Sequence, residues 1–174
     1  MTTIPDRLAA EERFRSVFSH LGAVAAYARR RGHADAEAAA AEVMTIAWRR
    51  LADVPRDDPR PWLFATARNV VLADRRRART VSAPVDTASE TEALELDPEL
   101  ESALRSLSYV DREALLLVAW EDLTPTQAAR SLGINPSAFR VRLLRARRRL
   151  RAKLDEAAAG GRREPNGNLD LETT

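Results

Sequence analysis

The 174-residue sequence contains no cysteine. Disulfides, thiolate nucleophiles and cysteine-ligated zinc are therefore excluded. Histidine is almost as scarce. His20 and His33 are the only two, neither has a partner at a metal-ligand spacing, and no metal site is expected. Aromatic residues make up 5% of the chain. The hydrophobic fraction of 45% is mostly Ala, Leu and Val, and no segment alternates with period two over strand length. Ala and Leu favour helix, so the expected fold is all-α. No apolar run approaches the roughly 18 residues that a membrane helix needs. The start is charged from Asp6 and Arg7 onward, and no secretory apolar core follows. The expectation is a soluble, cytoplasmic protein with no membrane insertion. No glycine-rich phosphate loop occurs, and no nucleophile is paired with a base. The chain reads as a non-enzyme with no catalytic residues and no cofactor.

Charge is present in abundance, but it is segregated. The net charge is only +2, and Lys153 is the sole lysine. Between Phe139 and Lys153 stand eight basic side chains and no acid. From Thr80 to Leu104 the balance reverses, with seven acids and no base. Fixed positive charge on a rigid element releases counterions from a nucleic-acid backbone, which drives binding.

The residues ahead of the basic run predict a helix, a tight turn and a second helix. Thr124-Pro125-Thr126-Gln127 has the form of a capping box with proline at the first helical position. Gly133 suits the left-handed residue that ends a helix, and Asn135-Pro136 opens the next. Phe139, Leu143, Ala146 and Leu150 then step by 4, 3 and 4, giving one buried stripe. The other faces carry Ser137, Ala138, Arg140, Val141, Arg142, Leu144, Arg145 and Arg148. The N-terminal part of such a helix reaches base edges, and its later arginines reach phosphates.

Upstream, a helical block is expected from about Asp6 to Arg31, ended by Gly32, and a second helix from Asp35 to Leu51. Three prolines between Pro55 and Pro61 force a loop before a third helix carrying Trp62, Leu63, Ala67, Val70 and Val71. Trp48, Trp62 and Trp120 are expected as packing residues. The organisation is two small helical domains, residues 6–80 and 97–155, joined by a flexible acidic linker over 81–96 and followed by a disordered tail over 156–174. The linker either only joins the domains or lies in a basic channel of a partner.

With these motifs in order, the chain resembles the extracytoplasmic-function (group IV) sigma factors of the sigma-70 family, from about Phe14 to Leu154. The likeness is carried by Asp35-Ala36-Glu37, Glu42, Ala47 to Leu51, Pro61 to Asn69, Arg75-Arg76-Arg77, Leu104, Leu107, Arg112-Glu113, Leu123-Thr124-Pro125, Ala128-Ala129, Leu132-Gly133, Phe139 to Leu143 and Arg145 to Arg147. The resemblance implies a region 2 that contacts core RNA polymerase at the β′ clamp helices through Asp35, Glu37, Glu42, Arg49 and Arg50. It implies that Arg56, Asp57, Arg60, Arg68, Asn69, Arg75 and Arg76 hold the −10 strand. It implies a region 4 that reads the −35 duplex and packs on the β flap, and an anti-sigma factor as a further partner. One departure stands out. Ala38 and Ala41 occupy positions where the family usually carries an acid, and an amide or acid. They either make good helix only or retune the clamp contact. A conventional helix-turn-helix regulator and a sigma-like interaction protein that opens no promoter remain as alternatives.

Overall fold

Capping residues and prolines divide the chain, and the computed structural model, which describes residues 4–81 and 97–160, follows those divisions. Among the described residues there are eight α-helices and no strand. The N-terminal module holds α1 (Ile4–Phe18), α2 (Leu21–Arg30), α3 (Ala36–Arg49) and α4 (Arg60–Val81). The C-terminal module holds α5 (Pro98–Ser106), α6 (Tyr109–Ala119), α7 (Pro125–Leu132) and α8 (Pro136–Gly160). The expected linker, apart from Val81 at the end of α4, lies outside the described residues, as does the tail beyond Gly160.

The first helical block is two helices rather than one. The Ser19 hydroxyl donates to the Ser16 carbonyl at 2.7 Å, and the His20 amide bonds the Val17 carbonyl at 3.1 Å. A serine that bonds the preceding turn competes with the helical ladder, and the tighter closure ends it there. Helix α2 then runs to the left-handed Gly32, φ 66°. Asp35 starts α3 by accepting the Ala38 amide at 2.8 Å.

The tail also differs from expectation. Helix α8 continues through Glu156 to Gly160, five residues into the segment expected to be disordered. Ala157, Ala158 and Ala159 are strong helix formers, and Lys153 pairs with Glu156 at 2.9 Å across one turn.

Val24, Tyr27, Val43, Ala47, Leu63, Phe64, Ala67 and Val71 are buried in the N-terminal module, with Val54 inserted from the loop before α4. Phe139, Leu143, Ala146, Ala128, Ala129, Ala114 and Leu117 fill the other. The two sets are continuous, forming one apolar cluster, and α7 lies against α4. Trp48 departs from the packing role expected for it. It is 44% exposed and meets Phe14 edge-on at 5.0 Å, on the outer side of α1 and α3. Trp62 and Trp120 are partly buried against the core.

Candidate nucleic-acid interface

The geometry of the helix-turn-helix follows from local chemistry. The Thr124 hydroxyl accepts the Gln127 amide at 3.3 Å, and the Gln127 side chain accepts the Thr124 amide at 2.8 Å. Two otherwise unbonded donors of α7 are thereby satisfied. At the other end Gly133 adopts φ 65°, ψ 32°. Its amide bonds the Arg130 carbonyl at 3.1 Å, and the Ile134 amide bonds Ala129 at 3.0 Å, the pairing of a Schellman motif. Asn135 caps α8 by accepting the Ser137 amide at 2.7 Å. Phe139, Leu143 and Ala146 are buried, which fixes the rotation of α8.

That rotation leaves Ser137, Ala138, Arg140, Val141, Leu144, Arg145 and Arg148 exposed, with Arg142 half-buried. All eight residues expected at a duplex therefore lie on the open faces of one helix. Val141 and Leu144 are among the few large apolar side chains left in solvent, and on a groove-reading helix they suit a thymine methyl. Ala138, Val141, Arg142, Arg145 and Arg149 line a shallow groove of about 370 Å³ against Asp111 of α6. Arg149 bonds the Asp111 carboxylate there, so the basic run has an acidic partner that its own sequence lacks. The pair withdraws Arg149 from the charge available to phosphates.

The residues expected to hold a single strand divide into two groups. Arg56 and Asp57 of the loop, and Asn69 and Arg76 of α4, are exposed. Arg60 and Arg68, eight residues apart along α4, face the C-terminal module instead, and Arg75 turns back on its own module. Arg60 donates to the Glu121 carbonyl, and the Arg68 guanidinium stands 5.9 Å from the Tyr109 ring. Arg75 donates to the Arg31 carbonyl near the same junction. Asp58, in the same loop, accepts from the Gln127 amide group at 2.9 Å.

The residues expected at the polymerase clamp are all exposed. Asp35 caps α3, Glu37 pairs with Arg29 at 2.5 Å, and Arg50 pairs with Asp53 at 2.9 Å. Exposed pairs of this kind exchange partners at little cost. Ala38 and Ala41 are exposed on the same helix, whereas Ala36, Ala39 and Ala40 are buried, so core packing does not demand alanine at the two departing positions. Among the described residues no group of three or more His, Asp or Glu could hold a metal ion, and no helix is long and apolar enough to cross a membrane.

Residues 98–150 match the family model for sigma-70 region 4. No curated protein sequence matches the chain. Among solved structures it is similar to the sigma factor RpoE of Bartonella quintana, in complex with the anti-sigma factor NepR, at 25% identity and a TM-score of 0.61, covering 81% of this chain and 95% of that one. It is also similar to CnrH in complex with the cytosolic domain of CnrY, at 25% identity and a TM-score of 0.59, covering 87% and 97%. The likeness thus spans both modules, and the region 4 match falls on the helix-turn-helix. Both modules are thus similar to sigma factors of the extracytoplasmic-function type, and the C-terminal one matches sigma-70 region 4.

One set of residues in this chain was given no role from sequence, although Glu113 is among those that carry the resemblance. Arg31, 5% exposed at the end of α2, bonds Glu113 of α6 at 2.9 Å and Glu121 at 2.9 Å. Its guanidinium lies 3.4 Å from the centre of the Tyr27 ring, and the Tyr27 hydroxyl donates to Glu113 at 2.7 Å. Arg30 reaches the second oxygen of Glu121 at 2.5 Å. Burial pushes the Tyr27 hydroxyl well above its usual range. Burial also works against the Arg31 charge, but Tyr27 and Glu113 outweigh it and hold its pKa above the ordinary arginine value. Arg31 reads in sequence only as a basic residue in a last helical turn, and Glu113 lies 82 positions away. Neither periodicity nor spacing marks such a pair.

Proposed function

We propose that this chain is a sigma factor that brings core RNA polymerase to specific promoters. In this reading α8 reads the −35 duplex through Ser137, Ala138, Arg140, Val141, Leu144 and Arg145, with Arg142 and Arg148 toward the backbone. The loop residues Arg56 and Asp57 and the α4 residues Arg60, Arg68, Asn69, Arg75 and Arg76 hold the unpaired −10 strand. Extruding a base costs a few kcal/mol, which pocket contacts and stacking must offset. The observation that carries the reading is the rotation of α8. Its buried stripe leaves every base-reading candidate on the open side of a helix capped at its start and turned by Gly133. The polymerase supplies the chemistry, and the sigma factor supplies position.

Asp35, Glu37, Glu42, Arg49 and Arg50 make the contact with the β′ clamp helices, and region 4 rests on the β flap. An anti-sigma factor is the further partner, supported by the RpoE structure, which holds one. The protein acts in the cytoplasm, where the polymerase is. The test is size-exclusion chromatography with core RNA polymerase from a GC-rich actinobacterium, followed by run-off transcription from genomic fragments. Stoichiometric co-elution and discrete transcripts are expected. A folded protein that elutes apart from core enzyme would refute the reading and leave a stand-alone regulator.

A further inference from the structure

We infer that Asp111 sets how α8 meets the backbone of a duplex: it holds Arg149 in an internal pair, so that the phosphate contacts of the helix's C-terminal half fall to Arg147 and Arg151 on the opposite edge. The inference rests on the function proposed above only in taking α8 as the duplex-reading helix.

The two edges of α8 differ. The apolar stripe of the helix is Phe139, Leu143, Ala146 and Leu150. Ala138, Arg142, Arg145 and Arg149 each stand one residue before a member of that stripe and line one edge of it. These side chains, with Val141, form the shallow groove against Asp111. Arg140, Leu144, Arg147 and Arg151 each stand one residue after a member and line the other edge. All four are exposed, and none of the three arginines has an acidic partner among the described residues. An acid is thus built into the edge that faces α6 and not into the other.

Asp111 is the fixed member of the pair. It lies in the first turn of α6, and its amide bonds the Ser108 hydroxyl at 3.2 Å. Its side chain is 8% exposed, against 60% for Arg149. A carboxylate in the first turn of a helix is favoured by the helix's own free amides, so Asp111 keeps its place while the long arginine comes to it. Moving Arg149 to a phosphate would leave that carboxylate buried and uncompensated beside a polyanion. Arg147 and Arg151 give up no partner when they meet a phosphate and release its counterions. The backbone is therefore met on their side, and Arg149 stays out of sequence-independent binding.

The test is the salt dependence of duplex binding by the full chain. Fluorescence anisotropy is measured with a labelled mixed-sequence duplex of about 20 base pairs, from about 50 to about 200 mM NaCl. Each phosphate contact adds about 0.9 to the slope of log affinity against log salt. Arg149→Ala should keep the wild-type slope, because Arg149 meets no phosphate. Asp111→Asn releases Arg149 and should steepen the slope by about 0.9, a further affinity loss of about 3.5-fold across that range. The double variant Asp111→Asn/Arg149→Ala should return to the wild-type slope. That return separates a released arginine from the mere loss of an acid, which would steepen both Asp111→Asn variants alike and overturn the inference. Arg147→Ala, on the other edge, should flatten the slope by about 0.9. Circular dichroism checks that each variant stays helical. Arg149→Ala strands a buried carboxylate, and if it unfolds, Asp111→Asn against the double variant decides alone. An unchanged slope in Asp111→Asn overturns the inference, as does a flatter slope in a folded Arg149→Ala. A wild-type chain with no duplex affinity even at low salt would sink the duplex reading of α8 and the inference with it. The expected slopes in a protein that never co-elutes with polymerase would uphold the role of Asp111 and sink the promoter reading.

Discussion

Replacing Gly133 by alanine separates backbone conformation from every other effect at the helix-turn-helix. A Cβ built on Gly133 meets no atom within 4 Å, so the substitution creates no clash. It removes no charge and no hydrogen bond. What it changes is the conformational cost of φ 65°. A residue with a Cβ pays about 1–2 kcal/mol in the left-handed region. Alanine also restricts the unfolded chain, which returns about 0.4–1 kcal/mol. The net expectation is a loss of about 0.5–1 kcal/mol, or a fall of roughly 1–4 °C in Tm at this chain length. Gly22 provides the opposite case. It lies in α2, it also has open space within 4 Å, and its φ is not positive. There alanine should stabilise by up to about 1 kcal/mol, because only the entropic cost of a helical glycine is removed. Differential scanning fluorimetry on wild type, Gly133→Ala, Gly133→Asn and Gly22→Ala measures all four. Asparagine should fall between glycine and alanine at 133, since it tolerates the left-handed region. If Gly133→Ala melted at or above wild type, the assignment of the turn's stability to its left-handed residue would be wrong.

Thr124→Ala removes the hydroxyl that accepts the Gln127 amide and should cost about 0.5–2 kcal/mol in chemical denaturation; an unchanged midpoint would mean that the cap adds nothing to α7. Arg140→Ala and Arg145→Ala should each weaken −35-dependent initiation by about 1–3 kcal/mol while leaving Tm unchanged, and an unaltered promoter preference would remove them from base reading. His20 carries a pH prediction. Burial, then Arg60, lowers its pKa below the usual 6.5, with Asp58 opposing. The folded state therefore prefers the neutral ring, so this contribution is present above about pH 6.5 and is lost as the pH falls through the depressed value. Thermal melts should show wild type losing more stability than His20→Asn between about pH 7 and pH 5, and parallel losses would refute the assignment.

Much of the C-terminal module was legible because its instructions are local. Thr124, Gln127, Gly133 and Asn135 act within a few residues of themselves, and the 4-3-4 step of Phe139, Leu143, Ala146 and Leu150 sets which face of α8 is open. The break at Ser19-His20 was not legible, since the apolar spacing from Phe14 to Ala28 passes through it and it shows only in the bonds of Ser19 and His20 back to Ser16 and Val17. Trp48 was misplaced for a related reason. It shares the apolar face of α3 by period, but it is 44% exposed and meets Phe14, which in turn meets Phe18, rather than the core. Arg149 looked free of acids because its partner Asp111 belongs to another helix.

The arginines of α4 show why the remaining gap is chemical rather than statistical. A guanidinium offers planar donors and a face that stacks, and it satisfies phosphate, carbonyl oxygen and aromatic ring by similar geometry. Sequence could assign Arg60, Arg68 and Arg75 to such a surface but could not name its occupant. In the folded chain the occupants are the Glu121 carbonyl, the Tyr109 ring and the Arg31 carbonyl. In the proposed complex they are strand phosphates and bases. A guanidinium cannot serve both at once, so Arg60 and Arg68 would have to leave the Glu121 carbonyl and the Tyr109 ring before they could hold a strand.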